Sequence, residues 1–231
     1  MEQRDTFFCG VGGSRAHHIE IESSDYDLLF IASDVPTRMS THEYFEDTGY
    51  NVISSPPQWF FDRVYDTRYW AVWQYFYLLE YKSTNDFTAF IQENRDNFIH
   101  KNRQLLLAAY EEKIAKIKRS FSGFCIVNRK MVAYAFLFLY LLRDLPQGKA
   151  PIECFRPDGE IHDFLINVRH GEYSEEFLWD RFQALEAAKN HERAFYNTPR
   201  DEDFFRMVKS ELDRYNFLPY EEWKKQQIQP H

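Results

Sequence analysis

The chain has 231 residues, with 44% apolar and 28% charged, which excludes global disorder and suits one large domain or two small ones. It carries 28 Lys or Arg against 36 Asp or Glu, a net charge of −8. That acidity excludes non-specific coating of duplex DNA, because neutralising phosphates needs a broad basic surface.

In chain order, Asp5 to Val11 reads as a short strand that ends in glycines. Gly12-Gly13-Ser14 is a tight turn, and Arg15 to Ile19 opens a helix. Asp25 to Ala32 is apolar after its acidic start and reads as a buried strand. Residues 33 to 58 are mixed, with Pro36, Pro56 and Pro57 punctuating loops. Gln58 to Val64 reads as another strand, and Thr67 or Asp66 caps a helix running to about Glu80. From Asn85 onward a helical period dominates. It predicts helices over Asn85–Phe98, Asn102–Phe121, Asn128–Leu142, Asp158–Arg169, Ser174–His191 and Asp201–Phe217. The fold class expected is α+β: a small mixed sheet with flanking helices over residues 1–100, then a helical C-terminal domain over residues 101–231 packed on that core.

The three cysteines, Cys9, Cys125 and Cys154, are odd in number and form no CxxC pair. That argues against a disulfide scaffold or a cysteine zinc site and for a reducing compartment. The N-terminus has no apolar signal region, and the longest apolar run, Met131 to Leu142, is too short to span a bilayer as a helix. The expectation is a soluble cytoplasmic protein with no membrane partner, the apolar run being a buried helix. Charge is uneven. Residues 101–130 hold eight basic residues and two acids, net +6, which leaves −14 on the remainder. A basic helix of this kind is either a phosphate-receiving surface or a solvated face.

The stretch that carries chemistry is Gly12-Gly13-Ser14-Arg15 followed by Asp25-Tyr26-Asp27. Two acids two residues apart at the head of a strand project from one face. Held together they repel unless a cation lies between them, and hard oxygen ligands suit Mg²⁺ or Mn²⁺. The Gly13-Ser14 turn offers backbone N–H groups and a hydroxyl to an anion such as a triphosphate. A metal pair at such a site binds the phosphates and activates an acceptor hydroxyl for in-line attack. Asp62, an acid among Trp59, Phe60, Phe61 and Val64, is the candidate third carboxylate, with Asp66 its competitor. Arg15 serves either as a bidentate phosphate ligand or as an anchor for the strand. His17 and His18 have no zinc spacing and read as an exposed or helix-end pair. The eleven aromatics between Trp59 and Tyr81 read first as packing between sheet and helix. No Ser-His-Asp, Cys-His, P-loop or complete dinucleotide fingerprint is visible.

The segment GGSRAHHIEIESSDYDLLFIASD resembles the signature of the DNA polymerase β-like nucleotidyltransferase superfamily: a strand, Gly-Ser, a helix, then a strand with Asp-x-Asp. The form GSR…SDYD looks particularly like the branch named after its association with RNA ligases. Asn94–Phe98, Ile166–Ser174 and Thr198–Asp201 are similar to further segments of that branch, so the likeness extends over most of the chain. It departs at Ala16-His17-His18, where the family usually has a small residue or glycine shortly after GSR, and at Tyr134 and Leu137, where the family's apolar C-terminal helix often carries His and Arg. The resemblance implies a metal-dependent transferase that moves an NMP from an NTP to a hydroxyl and releases pyrophosphate. Asp25, Asp27 and Asp62 would be its catalytic and metal-binding residues, Gly13, Ser14 and Arg15 its nucleotide contacts, and Lys116 a triphosphate contact on a helix. Mg²⁺ or Mn²⁺ would be the cofactor, and the acceptor an RNA end, a tRNA-like RNA or a protein. The rival class is a catalytically weak nucleotide-binding or antitoxin-like module acting on a partner protein.

Overall fold

The computed structural model describes residues 6–32, 41–56, 86–121 and 128–214. In chain order the elements are β1 (Thr6–Val11), α1 (Gly13–Ala16), β2 (Tyr26–Ala32), β3 (Thr41–Phe45), β4 (Tyr50–Ser55), α2 (Asp86–His100), α3 (Arg103–Phe121), α4 (Arg129–Asp144), α5 (Pro151–Phe155), α6 (Gly159–His170), α7 (Glu175–His191), α8 (Arg193–Tyr196) and α9 (Glu202–Asp213). The class is α+β: a four-stranded mixed sheet with helices, then a helical stretch. The chain divides into two compact units. One holds residues 1–13, 25–101 and 201–231, and the other residues 14–24 and 102–200.

The first unit contains the sheet, ordered β1-β2-β4-β3. β2 is antiparallel to β1 and parallel to β4, and β3 returns antiparallel along β4. Being paired on both sides, β2 carries the near-continuous apolar run Leu28 to Ala32 that a central strand requires. Leu29 and Ile31 are buried with Val11. In α2, Ile91, Phe98 and Ile99 are also buried, and the Phe98 ring packs on Phe204 and Phe205 of α9 at 5.3 and 6.3 Å. Asp201 fixes the entry to α9. Its carboxylate accepts from the Phe204 N–H at 3.0 Å and from Lys101 Nζ at 2.5 Å. The lysine bond holds the Asp201 carboxyl below its ordinary range.

The hairpin Thr41–Ser55 lies in the stretch read as mixed, to which no strand was assigned, so two strands are added to the expectation. Its signals are short: Glu46 to Gly49 connect the strands, and Gly49 takes φ +66, a left-handed conformation that favours glycine. The strand expected at Gln58–Val64 and the helix expected to Glu80 lie outside the described residues.

The second unit is built on α4. Every side chain from Val132 to Leu142 is buried, as the apolar run predicts. Phe136 meets Phe164 of α6 at 4.9 Å and Phe182 of α7 at 6.3 Å, both edge-on. Tyr110 of α3 lies 4.5 Å from Phe138. The caps match the helix starts read from the sequence. Asn128 accepts from the Met131 N–H and Ser174 from the Phe177 N–H, both at 3.2 Å. Gly171 ends α6 at φ +83, as a residue just past the helix end should. Among the described residues no helix is long and apolar enough to cross a membrane.

Candidate active site

In the first unit β1 runs into Gly12 and Gly13, which lie beside the start of β2. The Gly12 N–H donates to the Asp27 carbonyl at 2.7 Å, extending the β1–β2 ladder one step beyond Val11. A Cβ on Gly12 would lie 2.5 Å from Leu29 Cδ1. Gly13 has φ +61, and a Cβ there would lie 1.8 Å from Asp27 Oδ2. The backbone of Gly13 therefore lies directly against the Asp27 carboxylate, at a place no side chain fits.

The other oxygen of that carboxylate is held from the opposite strand. Asn51 Nδ2 of β4 donates to Asp27 Oδ1 at 2.7 Å, and the two residues are direct partners in the parallel β2–β4 register. Asp27 is half-buried. Asp25 lies one residue before β2 and is exposed. The structure thus brings Gly13, Asp25 and Asp27 to one end of the sheet and adds Asn51, which sequence reading missed. The signal was faint: an asparagine in the second position of a short strand has a role only once its register against residue 27 is known.

Ser14 and Arg15 belong to the second unit. Ser14 is buried, and its Oγ has no hydrogen-bond partner among the described residues. Arg15 donates to the Ser24 carbonyl at 3.3 Å. Lys116 lies on α3, with its side chain outside the described residues. Asp62 and Asp66 also lie outside them. Among the described residues no three His, Cys, Asp or Glu gather as a metal-binding group, so the described part of the site contributes two carboxylates, Asp25 and Asp27. Their hard oxygens are the donor type that Mg²⁺ and Mn²⁺ take, and Asn51 fixes one of them in place.

The segment after Ser14 is pinned into the second unit by three contacts. Arg169 donates to the Ile19 carbonyl at 2.7 Å, and Arg156 Nε to the Ala16 carbonyl at 3.2 Å. His17 Nδ1 meets the Phe155 carbonyl at 3.0 Å. His17 is buried, which corrects the expectation of an exposed pair; only His18 is exposed. A carbonyl accepts only from a donor, so Nδ1 carries the proton and Nε2 is a lone pair with no partner among the described residues. The ring lies edge-on to Tyr134 at 5.7 Å and stacks with Phe155 at 5.9 Å. Burial lowers its pKa to about 4, opposed by the Phe155 hydrogen bond and reinforced by Arg156. His18 is also lowered, first by partial burial and then by Arg156. It takes φ +55, a left-handed conformation. Arg169 thereby acquires a structural purpose that no pattern in the sequence states.

Set against models of known protein families and against curated proteins, the sequence matches none.

Proposed function

We propose that the chain is a divalent-cation-dependent nucleotidyltransferase, moving a nucleoside monophosphate from an NTP to a hydroxyl group and releasing pyrophosphate. The observation that carries this reading is the treatment of Asp27. A carboxylate on the central strand is held by an amide on one oxygen, while a glycine backbone with no room for a side chain lies against the other. Immobilising a partly buried carboxylate in this way costs free energy, and a fixed ligand for a hard cation is a function that justifies the cost. Asp25 and Asp27 would hold the cation, with Asp62 expected as the third acid. When bound, the cation supplies positive charge to the phosphates and makes the acceptor hydroxyl easier to deprotonate.

The chain's own residues have separate tasks in this scheme. Gly13 would be a triphosphate contact, since a glycine backbone can approach an anion more closely than any residue with a Cβ. Asn51 keeps the Asp27 carboxylate in one rotamer. The acceptor oxygen bonds to the α-phosphorus as the α–β phosphoanhydride P–O bond breaks. Pyrophosphate leaves with the electron pair, and the hydroxyl proton passes through a carboxylate to solvent.

The test is label incorporation. Wild type, Asp25→Ala, Asp27→Ala and Asp62→Ala are incubated with each α-labelled NTP, Mg²⁺ or Mn²⁺, total RNA and cell protein. The expected result is label on one acceptor class. Loss should be at least about a hundredfold in Asp25→Ala and Asp27→Ala with NTP binding retained. Cation-dependent NTP binding with no label on any acceptor would replace the transferase with a binding module.

A further inference from the structure

Resting on the transferase reading, we infer that the hydroxyl acceptor is a protein with a Lys- and Arg-bearing face, docked on the β3–β4 hairpin beside Asp27. Of the five large apolar or aromatic side chains that stand exposed among the described residues, three are in this one hairpin: Tyr44, Phe45 and Tyr50, at 62%, 47% and 39% exposure. Exposed aromatics concentrated in one short segment mark a contact surface rather than scattered surface residues.

The register places them. Phe45 is the direct partner of Tyr50, and Tyr50 of Tyr26, so three aromatics cross three strands in one row. The Tyr26 and Tyr50 rings are 5.1 Å apart. The next row, on the opposite face, is Tyr44–Asn51–Asp27. Two strand spacings separate its ends, about 10 Å. Of these aromatics only Tyr44 shares the face of Asp27; Tyr26, Tyr50 and Phe45 stand on the other face, so a partner that grips the edge strand β3 meets both rows at the end of the sheet that carries Asp25 and Asp27.

Charge selects the partner. Between Thr41 and Ser55 there are three acids, Glu43, Glu46 and Asp47, all exposed, and no Lys or Arg. With Asp25 and Asp27 they make this end of the sheet negative. A nucleic-acid backbone laid across it would bring phosphates against these acids. A cationic protein segment meets opposite charge at the rim, and its Arg or Lys groups find ring faces for cation–π contact. A Tyr, Ser or Thr hydroxyl on that segment is the acceptor. Its oxygen forms the new bond to the α-phosphorus, the α–β P–O bond breaks, and pyrophosphate leaves.

The experiment uses the full chain and three defined probes: a lysine–tyrosine copolymer, a glutamate–tyrosine copolymer and an oligoribonucleotide with a free 3′ hydroxyl. Binding is read by fluorescence anisotropy, which needs no turnover, and transfer by incorporation of labelled NMP. The hairpin variant is Glu43→Lys, Glu46→Lys, Asp47→Lys. A control of equal net charge is Glu93→Lys, Glu112→Lys, Glu172→Lys, and Tyr50→Ala tests the aromatic row. Wild type should bind and label the lysine–tyrosine copolymer alone. The hairpin variant should lose about tenfold in binding and Tyr50→Ala about fivefold. The control variant should lose less than about twofold. Equal weakening of hairpin and control variants would overturn the docking surface. Label on the oligoribonucleotide and not on the copolymer would overturn the protein acceptor and leave the transferase standing. Hairpin-dependent binding with no transfer to any probe would instead strike the transferase reading, and the acceptor role with it.

Discussion

Gly13 and Gly49 share nearly the same backbone conformation, at φ +61 and +66, and differ in what surrounds them. A Cβ at residue 49 meets nothing within 4 Å, while one at residue 13 lies 1.8 Å from Asp27 Oδ2. Gly49→Ala should therefore cost only the left-handed backbone term, about 1 kcal/mol, with transfer activity intact. Gly13→Ala must also displace the Asp27 carboxylate, and should lose at least about 2 kcal/mol and most activity. Denaturant melts and NMP transfer on the two variants check this, and equal behaviour would contradict it. His17 supplies a pH test. Its pKa is near 4 when folded and near 6.5 in the open chain, so the unfolded state takes up a proton first. Stability is then lost as pH falls from about 6.5 through about 4, by a total of about 3 kcal/mol. In His17→Phe this part of the acid sensitivity should vanish. An unchanged loss of thermal stability between neutral pH and pH about 5 would remove His17 as its source. The placement of Gly13 beside Asp27 was legible in the sequence because it is local: a turn and an acidic strand head. The burial of His17 was not, because Phe155, Arg156 and Tyr134 reach it from more than a hundred residues away.

At the scale of elements, the long helices announced themselves through apolar spacing and caps, and α4, α6 and α7 start within a residue of the positions read from Asn128, Asp158 and Ser174. The β3–β4 hairpin stayed hidden. Its strands are five and six residues long, and Tyr44, Phe45 and Tyr50 point aromatic surface at solvent, so the alternation that marks a half-buried strand is missing. α5 and α8 are single short turns below the length at which periodicity speaks. The hairpin matters because β4 delivers Asn51 to Asp27. Asn51→Asp would set a second carboxylate where an amide now donates at 2.7 Å. Without a divalent cation this variant should lose about 1–2 kcal/mol through like-charge repulsion. Added Mg²⁺ or Mn²⁺ should restore it, and the rise in melting temperature on adding the cation should exceed that of wild type. A rise no larger than wild type would place the cation away from Asp27.

For the whole molecule, net charge and local charge answer different questions. The total of −8 opposes long nucleic acids, yet residues 101–130 carry +6 and the hairpin carries three acids with no base. A small anionic substrate and a cationic macromolecular acceptor are both compatible with that uneven distribution, whereas wrapping of a polyanion is not. The α+β class was legible from the change of period near residue 85. The contacts of Arg156 and Arg169 with the carbonyls of Ala16 and Ile19 were not, because a pairing across about 140 residues leaves no trace in local pattern. In the proposed reaction Asp25 and Asp27 support transfer of a nucleoside monophosphate. The measurement that bears on it most directly is pyrophosphate formed per NMP attached, in wild type and in the Asp25→Ala, Asp27→Ala double variant. Wild type should form one pyrophosphate per attached NMP, only with Mg²⁺ or Mn²⁺ present, and the double variant neither product. Equal pyrophosphate release by the double variant, or label attached without it, would rule out Asp25 and Asp27 as the residues that support transfer.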